Sequence, residues 1–140
     1  MKKLKKIVLL LIFMILSIIL LSTKVQASGN LYLNKLEFYA NINSDGSMDI
    51  TEIWDIDISR TNTLYKTFKT DKKKYSGIQN VEVTEITNGQ NKKLKKTNEL
   101  LWHLDKNSYY GLKNKNGDFE IAWGVGLDNG KEKRKYKISY

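Results

Sequence analysis

Leu36-Glu37-Phe38-Tyr39-Ala40-Asn41-Ile42 runs into Asn43-Ser44-Asp45-Gly46-Ser47 and then into Met48-Asp49-Ile50-Thr51-Glu52-Ile53-Trp54-Asp55-Ile56-Asp57-Ile58. On both sides of the central five residues the apolar side chains fall on even numbers, and Glu37, Tyr39, Asn41, Asp49, Thr51, Asp55 and Asp57 alternate with them. Alternation with period two is the pattern of a half-buried strand. The intervening residues are turn formers, so the stretch reads as a long hairpin. Residues that face each other across a hairpin share one side of the sheet. Both apolar sets are even, so the loop must hold an odd number of residues or a bulge, with Gly46 able to supply a positive φ. If Ile42 faces Ile50, Ala40 faces Glu52 and leaves the carboxylate room.

Beyond the hairpin, Ser59-Arg60-Thr61-Asn62 interrupts the alternation. Leu64, Tyr65 and Phe68 suggest a short strand or crossing segment, and residues 71–74 a charged loop. Ile78 to Thr87 reads as a strand carrying Val81 and Val83 on one side. Asn88 to Asn98 is polar, lysine-rich and expected to be mobile. Leu100, Trp102 and Leu104 alternate. Tyr109 to Leu112 is expected to pair with Phe119 to Val125 across an Asn114–Gly117 turn, and Asp128-Asn129-Gly130 reads as a further turn before Tyr136, Ile138 and Tyr140. Many short strands separated by turn signals predict an all-β fold, an antiparallel β-sandwich of Ig-like or Greek-key type. The sequence ends inside a strand pattern, which suggests the front part of a longer protein.

Residues 1–27 have the order of a signal peptide. Lys2, Lys3, Lys5 and Lys6 precede an apolar run from Ile7 to Leu21, and Val25-Gln26-Ala27 fits a small-x-small cleavage site, with the cut between Ala27 and Ser28. The rival is an uncleaved anchor. Fifteen helical residues reach roughly 22 Å, short of the ~30 Å hydrocarbon core. In either case residues 28–140 are expected to form an extracytoplasmic domain behind a signal-peptide helix. Five of the 24 basic residues lie in the first 27, leaving 19 against 15 acidic groups, a net charge of +4. Arg60 and Arg134 are the only arginines. A scattered lysine surface without arginine forks argues against nucleic acid and permits a weak attraction to anionic lipid or cell wall. The chain has no cysteine, so its fold rests on packing alone.

Reactive constellations are sparse. Asn41 to Glu52 approaches the spacing of an EF-hand calcium loop, but the flanks alternate as strands and Asn41 stands where the motif asks for Asp. Glu52 lies on the apolar face and must be paired or hydrogen-bonded if buried, by backbone amides or a lysine. Glu52 and Glu120 are the carboxylates a glycosidase would need, yet Glu120 sits beside Asp118 on the polar side of its strand and looks solvated. His103 is the sole histidine and reads as a surface residue; with no cysteine, the usual zinc ligands are missing. Trp54 and Trp123 read as core, and Trp102, Tyr109 and Tyr110 as the candidates for an aromatic ligand surface. No catalytic, cofactor or metal site is expected.

Asp45-Gly46-Ser47-Met48-Asp49-Ile50-Thr51-Glu52-Ile53-Trp54 resembles the hairpin signature that opens a family of predicted bacterial membrane proteins, domain-of-unknown-function family 2207, the YciQ-like proteins. Leu64-Tyr65-Lys66-Thr67-Phe68 resembles the next block, where the family usually has arginine in place of Lys66. Phe119-Glu120-Ile121-Ala122-Trp123-Gly124-Val125 and Arg134-Lys135-Tyr136-Lys137-Ile138-Ser139-Tyr140 resemble the later strands and the tyrosine-ended motif. The match runs in order from about Leu33 to Tyr140. The resemblance implies an extracytoplasmic β domain followed, in the family, by more β structure and transmembrane helices. The family has no established activity, so Asp45, Gly46, Glu52, Trp54, Trp123 and Tyr140 carry over as motif positions of structural character. The expectation is a non-enzymatic domain with a binding, sensing or assembly role, tethered to the cell membrane or envelope, its protein or glycan ligand unspecified. The alternative is a secreted carbohydrate- or cell-wall-binding module.

Overall fold

Two strands of 21 residues organise the chain, β2 (Met48–Phe68) and β7 (Phe119–Ser139). Among the described residues the others are β1 (Asn30–Ile42), β3 (Glu82–Glu85), β4 (Lys92–Lys93), β5 (Lys95–Lys96) and β6 (Ser108–Lys113), with one 3-10 turn at Thr87–Gly89. The structure is a computed structural model that describes residues 29–69 and 77–140. The expected export segment with its cut between Ala27 and Ser28, and the expected charged loop at 71–74, lie outside the described residues.

β2 and β7 pair antiparallel from Thr51↔Ser139 to Phe68↔Phe119, with register shifts between Ser59 and Thr63. Arg60 takes φ 49 at this point, a conformation that costs a side-chain-bearing residue energy and marks a deliberate bend. The partners show that β7 holds three more residues than β2 across the bend: Ser59 faces Lys131, but Leu64 faces Trp123. An odd surplus reverses which side chains point inward. Odd-numbered Ile121, Trp123, Val125 and Leu127 are buried before the bend, and even-numbered Tyr136 and Ile138 after it. The turn expected at Asp128-Asn129-Gly130 is therefore a bulge inside one continuous strand, because pairing with β2 resumes on both sides of it.

The first half of β2 carries β1 on its outer edge. The last part of β7 carries β3 and then β4, while its first part carries β6, which pairs in turn with β5. The bent sheet closes over on itself, and its two halves enclose one interior. Among the described residues every strand pair is antiparallel except β5–β6, and there is no α-helix. The all-β, sandwich-like architecture expected from the alternation is present. The main core cluster runs from Ile56 to Ile138 in sequence and includes Ile58, Leu64, Val83, Tyr109, Trp123 and Tyr136. Trp123 meets Trp54 edge-on with centroids 5.6 Å apart and leans on Tyr136 at 5.8 Å. Such pairs add about 0.5–1.5 kcal/mol beyond burial.

The hairpin forms with a loop of residues 43–47, the odd-numbered of the two solutions that parity allows, and Gly46 has φ 83. The register is tighter than expected. Ile42 faces Met48, Ala40 faces Ile50, and Phe38 rather than Ala40 faces Glu52. Asp45 fixes the short turn by accepting from the Ser47 amide at 2.9 Å and its hydroxyl at 2.7 Å. The second half of β2 continues through Leu64 and Phe68 as the same strand. Asn88 to Asn98, expected to be mobile, holds β4 and β5, and Leu94 is buried, its amide bonded to the Val83 carbonyl at 2.9 Å. The strand at Ile78–Thr87 is shorter, Glu82–Glu85. Leu100, Trp102 and Leu104 lie in a loop. The β6–β7 hairpin forms as expected, Tyr109 facing Trp123.

Candidate functional site

Glu52 is fully buried on the inner side of β2. A carboxylate there is tolerable only if its oxygens are matched. Oε2 accepts from Trp54 Nε1 at 2.8 Å, and Oε1 accepts from the Tyr140 hydroxyl at 2.6 Å and from Lys66 Nζ. Trp54 lies two residues along the same strand, on the same face. Tyr140 arrives because its amide and carbonyl exchange hydrogen bonds with Ile50. Lys66 arrives because β2 bends and returns over the interior. Its ammonium also stands 4.8 Å from the Phe68 ring centre and 5.6 Å from that of Tyr140, within cation–π range. Burial works to raise the Glu52 pKa. The hydrogen bonds from Lys66, Tyr140 and Trp54, with the lysine's charge, outweigh it and hold the group below its ordinary value. The Tyr140 hydroxyl is pushed up, by burial first and by donation to Glu52 second.

Four of the motif positions thus meet in one place: Glu52, Trp54, Tyr140 and, through the Trp54 ring, Trp123. Asp45 and Gly46 stay apart in the hairpin turn. Three donors thus match the buried carboxylate of Glu52. The site also answers the EF-hand pattern. Asn41 to Glu52 folds as strand, turn and strand, and the carboxylate that would clasp calcium is engaged inside the protein. Among the described residues no group of three metal-binding side chains occurs.

A second feature lies on β1. The side of β1 that continues the core face carries Leu31, Leu33, Leu36, Phe38 and Ile42, opposite Ile58, Ile56, Trp54, Glu52 and Met48. Alternation predicts that these residues are covered. Instead Leu36 is 47% exposed, Phe38 58% and Ile42 73%. The returning half of the sheet roofs β2, β7 and β3 but stops short of β1. β1 is also the end of the strand order, so among the described residues its outer edge has no neighbour.

Other expected residues fall as follows. Tyr109 and Tyr110 are buried and so offer no ring surface to a ligand. Tyr109 donates to the Val81 carbonyl at 2.9 Å, and Tyr110 to Glu120 Oε1 at 2.5 Å. Glu120, expected to be solvated, is half-buried as the acceptor of that bond and belongs to the opposite face from Trp123. His103 is exposed, as expected. Sequence reasoning missed Arg134, buried with Nη1 2.5 Å from Glu85 and Nε 2.7 Å from Glu132. Its signal was available: an arginine on the inner parity of β7 needs acidic partners. A shallow open groove of about 340 Å³ is lined by Tyr32, Asp57, Ser59, Lys131, Glu132 and Lys133, among others, and excludes Glu52.

No family model, no curated protein and no solved structure matches this chain.

Proposed function

We propose that this chain is an exported, non-enzymatic β domain whose task is binding or assembly at the cell envelope, with β1 as its working surface. The observation that carries the reading is the exposed apolar row from Leu31 to Ile42, lying beside a strand edge that no described residue pairs with. Exposed apolar patches next to a free edge mark interaction sites. The fitting partner is an extended segment with apolar residues at every second position. It would add to the sheet through main-chain hydrogen bonds and set its side chains against Leu36 and Phe38. The bulge between Leu33 and Lys35 and the exposed Lys35–Glu37 ion pair at 2.9 Å are devices that discourage indiscriminate pairing. The export signal in residues 1–27 and the resemblance to an extracytoplasmic domain of membrane proteins support the envelope as the setting. The fully engaged Glu52 supports a non-enzymatic role.

The test has two parts. Protein recovered from the envelope is sequenced from its N-terminus, and a photo-crosslinker replaces Phe38 in living cells. A start at Ser28 and one discrete adduct that Leu36→Lys abolishes are expected. Retention in the cytoplasm, or adducts identical to those from position 113, contradicts the reading.

A further inference from the structure

The loop from Thr97 to Asn107 joins β5 to β6 and carries Leu100-Leu101-Trp102 at its tip. All three are exposed, and Trp102 is 90% so. Runs of consecutive exposed apolar residues are avoided on soluble surfaces unless they have a use. The exposure is not slackness. Leu104 is buried against Tyr110 and Ala122. Its amide donates to Thr63 Oγ1 at 3.1 Å, and the Asn107 amide to the Gly124 carbonyl at 3.2 Å. The Asp105 carbonyl presses so closely on Gly124 that a Cβ there would lie 2.0 Å from it. The base of the loop is fastened to β7, and the apolar tip projects from it.

The base is basic. Lys95 and Lys96 pair with Ser108 and Tyr109 where the loop begins and ends, and Lys106 precedes its last residue. All three are exposed and, among the described residues, none is in an ion pair. Lys92 and Lys93 continue the patch on β4, Lys93 bonded to Glu82. Residues 92–106 hold five lysines against Glu99 and Asp105.

We propose that this loop is a bilayer-docking tip for anionic membranes. The chemistry is layered as a membrane surface is layered. Leu100 and Leu101 enter the acyl boundary, Trp102 sits at the headgroup level where its amphipathic ring is favoured, and Lys95, Lys96 and Lys106 meet lipid phosphates. A convex tip suits a deformable bilayer better than a protein pocket. The inference rests on different residues from the β1 reading and stands or falls separately.

The experiment uses the chain from Ser28 onward, since the core cluster is drawn from Ile56 to Ile138. It is mixed with vesicles of phosphatidylglycerol and phosphatidylcholine, or of phosphatidylcholine alone, and sedimented. Brominated lipid reports Trp102 depth, because Trp123 is enclosed and Trp54 faces the interior. Expected are binding to the anionic vesicles and quenching by brominated chains. Trp102→Ala should lower affinity about tenfold or more, and Leu101→Asp likewise. The triple change Lys95→Gln, Lys96→Gln, Lys106→Gln should cost about two orders of magnitude on anionic vesicles alone. Unchanged melting temperatures show that the variants fold. Absence of vesicle binding, or binding indifferent to Trp102→Ala and Leu101→Asp, overturns the proposal. So does retention on purified wall glycan that Trp102→Ala abolishes while vesicles are ignored.

Discussion

Lys66 donates to Oε1 of Glu52, a residue fourteen positions earlier in the same strand. That a strand can reach itself this way states the fold in one contact. β2 bends at Arg60, its second half returns across the interior, and the ion pair ties the two layers together. The pair's value is asymmetric. A buried pair gains little net stability over apolar packing, whereas removing one member leaves an unmatched charge.

The two single changes should differ. Lys66→Met leaves a fully buried carboxylate with two neutral donors and should cost about 3 kcal/mol, the low end for a broken buried pair. Glu52→Gln leaves an ammonium on a side chain still 26% exposed, which water can reach, and should cost about 1–2 kcal/mol. The double variant should be more stable than the sum of the singles predicts. Urea denaturation of all four proteins measures this, and strict additivity would show that the pair is idle.

Acid should loosen the domain through the same residue. The folded pKa of Glu52 lies below its ordinary value of 4.5, so its contribution is fully present above about pH 4.5 and is lost as pH falls through the folded value. Glu37 and Asp45 are also depressed and share that sign. The difference between wild type and Glu52→Gln isolates the buried group. Urea midpoints of the two proteins should converge on acidification below pH 4.5.

Two glycines should respond differently to alanine. At Gly124 a Cβ would collide with the Asp105 carbonyl, so Gly124→Ala should cost about 3 kcal/mol or more and shift the loop that bears Trp102. At Gly46 there is open space but φ is 83, so Gly46→Ala should cost about 1–2 kcal/mol from backbone conformation alone. Thermal unfolding separates them, and equal losses would mean that the close approach at Gly124 is relieved elsewhere.

Calcium should leave the melting temperature unchanged, with or without chelator. The Asn41-to-Glu52 spacing invites the ion, but Trp54, Lys66 and Tyr140 occupy the carboxylate. A rise on adding calcium would mean that the Glu52 network opens.

Much of this was legible in the residues. Alternation locates the hairpin, parity asks for an odd loop or a bulge, and the inward position of Glu52 demands backbone amides or a lysine as partners. Which lysine was not legible, because Lys66 reaches Glu52 only through the bend at Arg60. The three-residue surplus in β7 was likewise hidden, since Asp128-Asn129-Gly130 has turn composition whether it ends a strand or bulges one. Phe38 shows the deeper limit. Period two says that a side chain shares the core face, and only the extent of the opposite layer decides whether anything covers it. Trp102 misled for a related reason, its alternation with Leu100 and Leu104 falling in a loop.

The uncovered face of β1 can be measured directly, because the chain has no cysteine and an introduced thiol reports alone. Phe38→Cys and, as a control, Lys113→Cys are treated with a maleimide in the purified protein and in intact cells. Rapid labelling of both is expected in the purified protein, and shielding of position 38 alone in cells. Slow labelling at position 38 in the purified protein, or equal labelling of it in both settings, would contradict it.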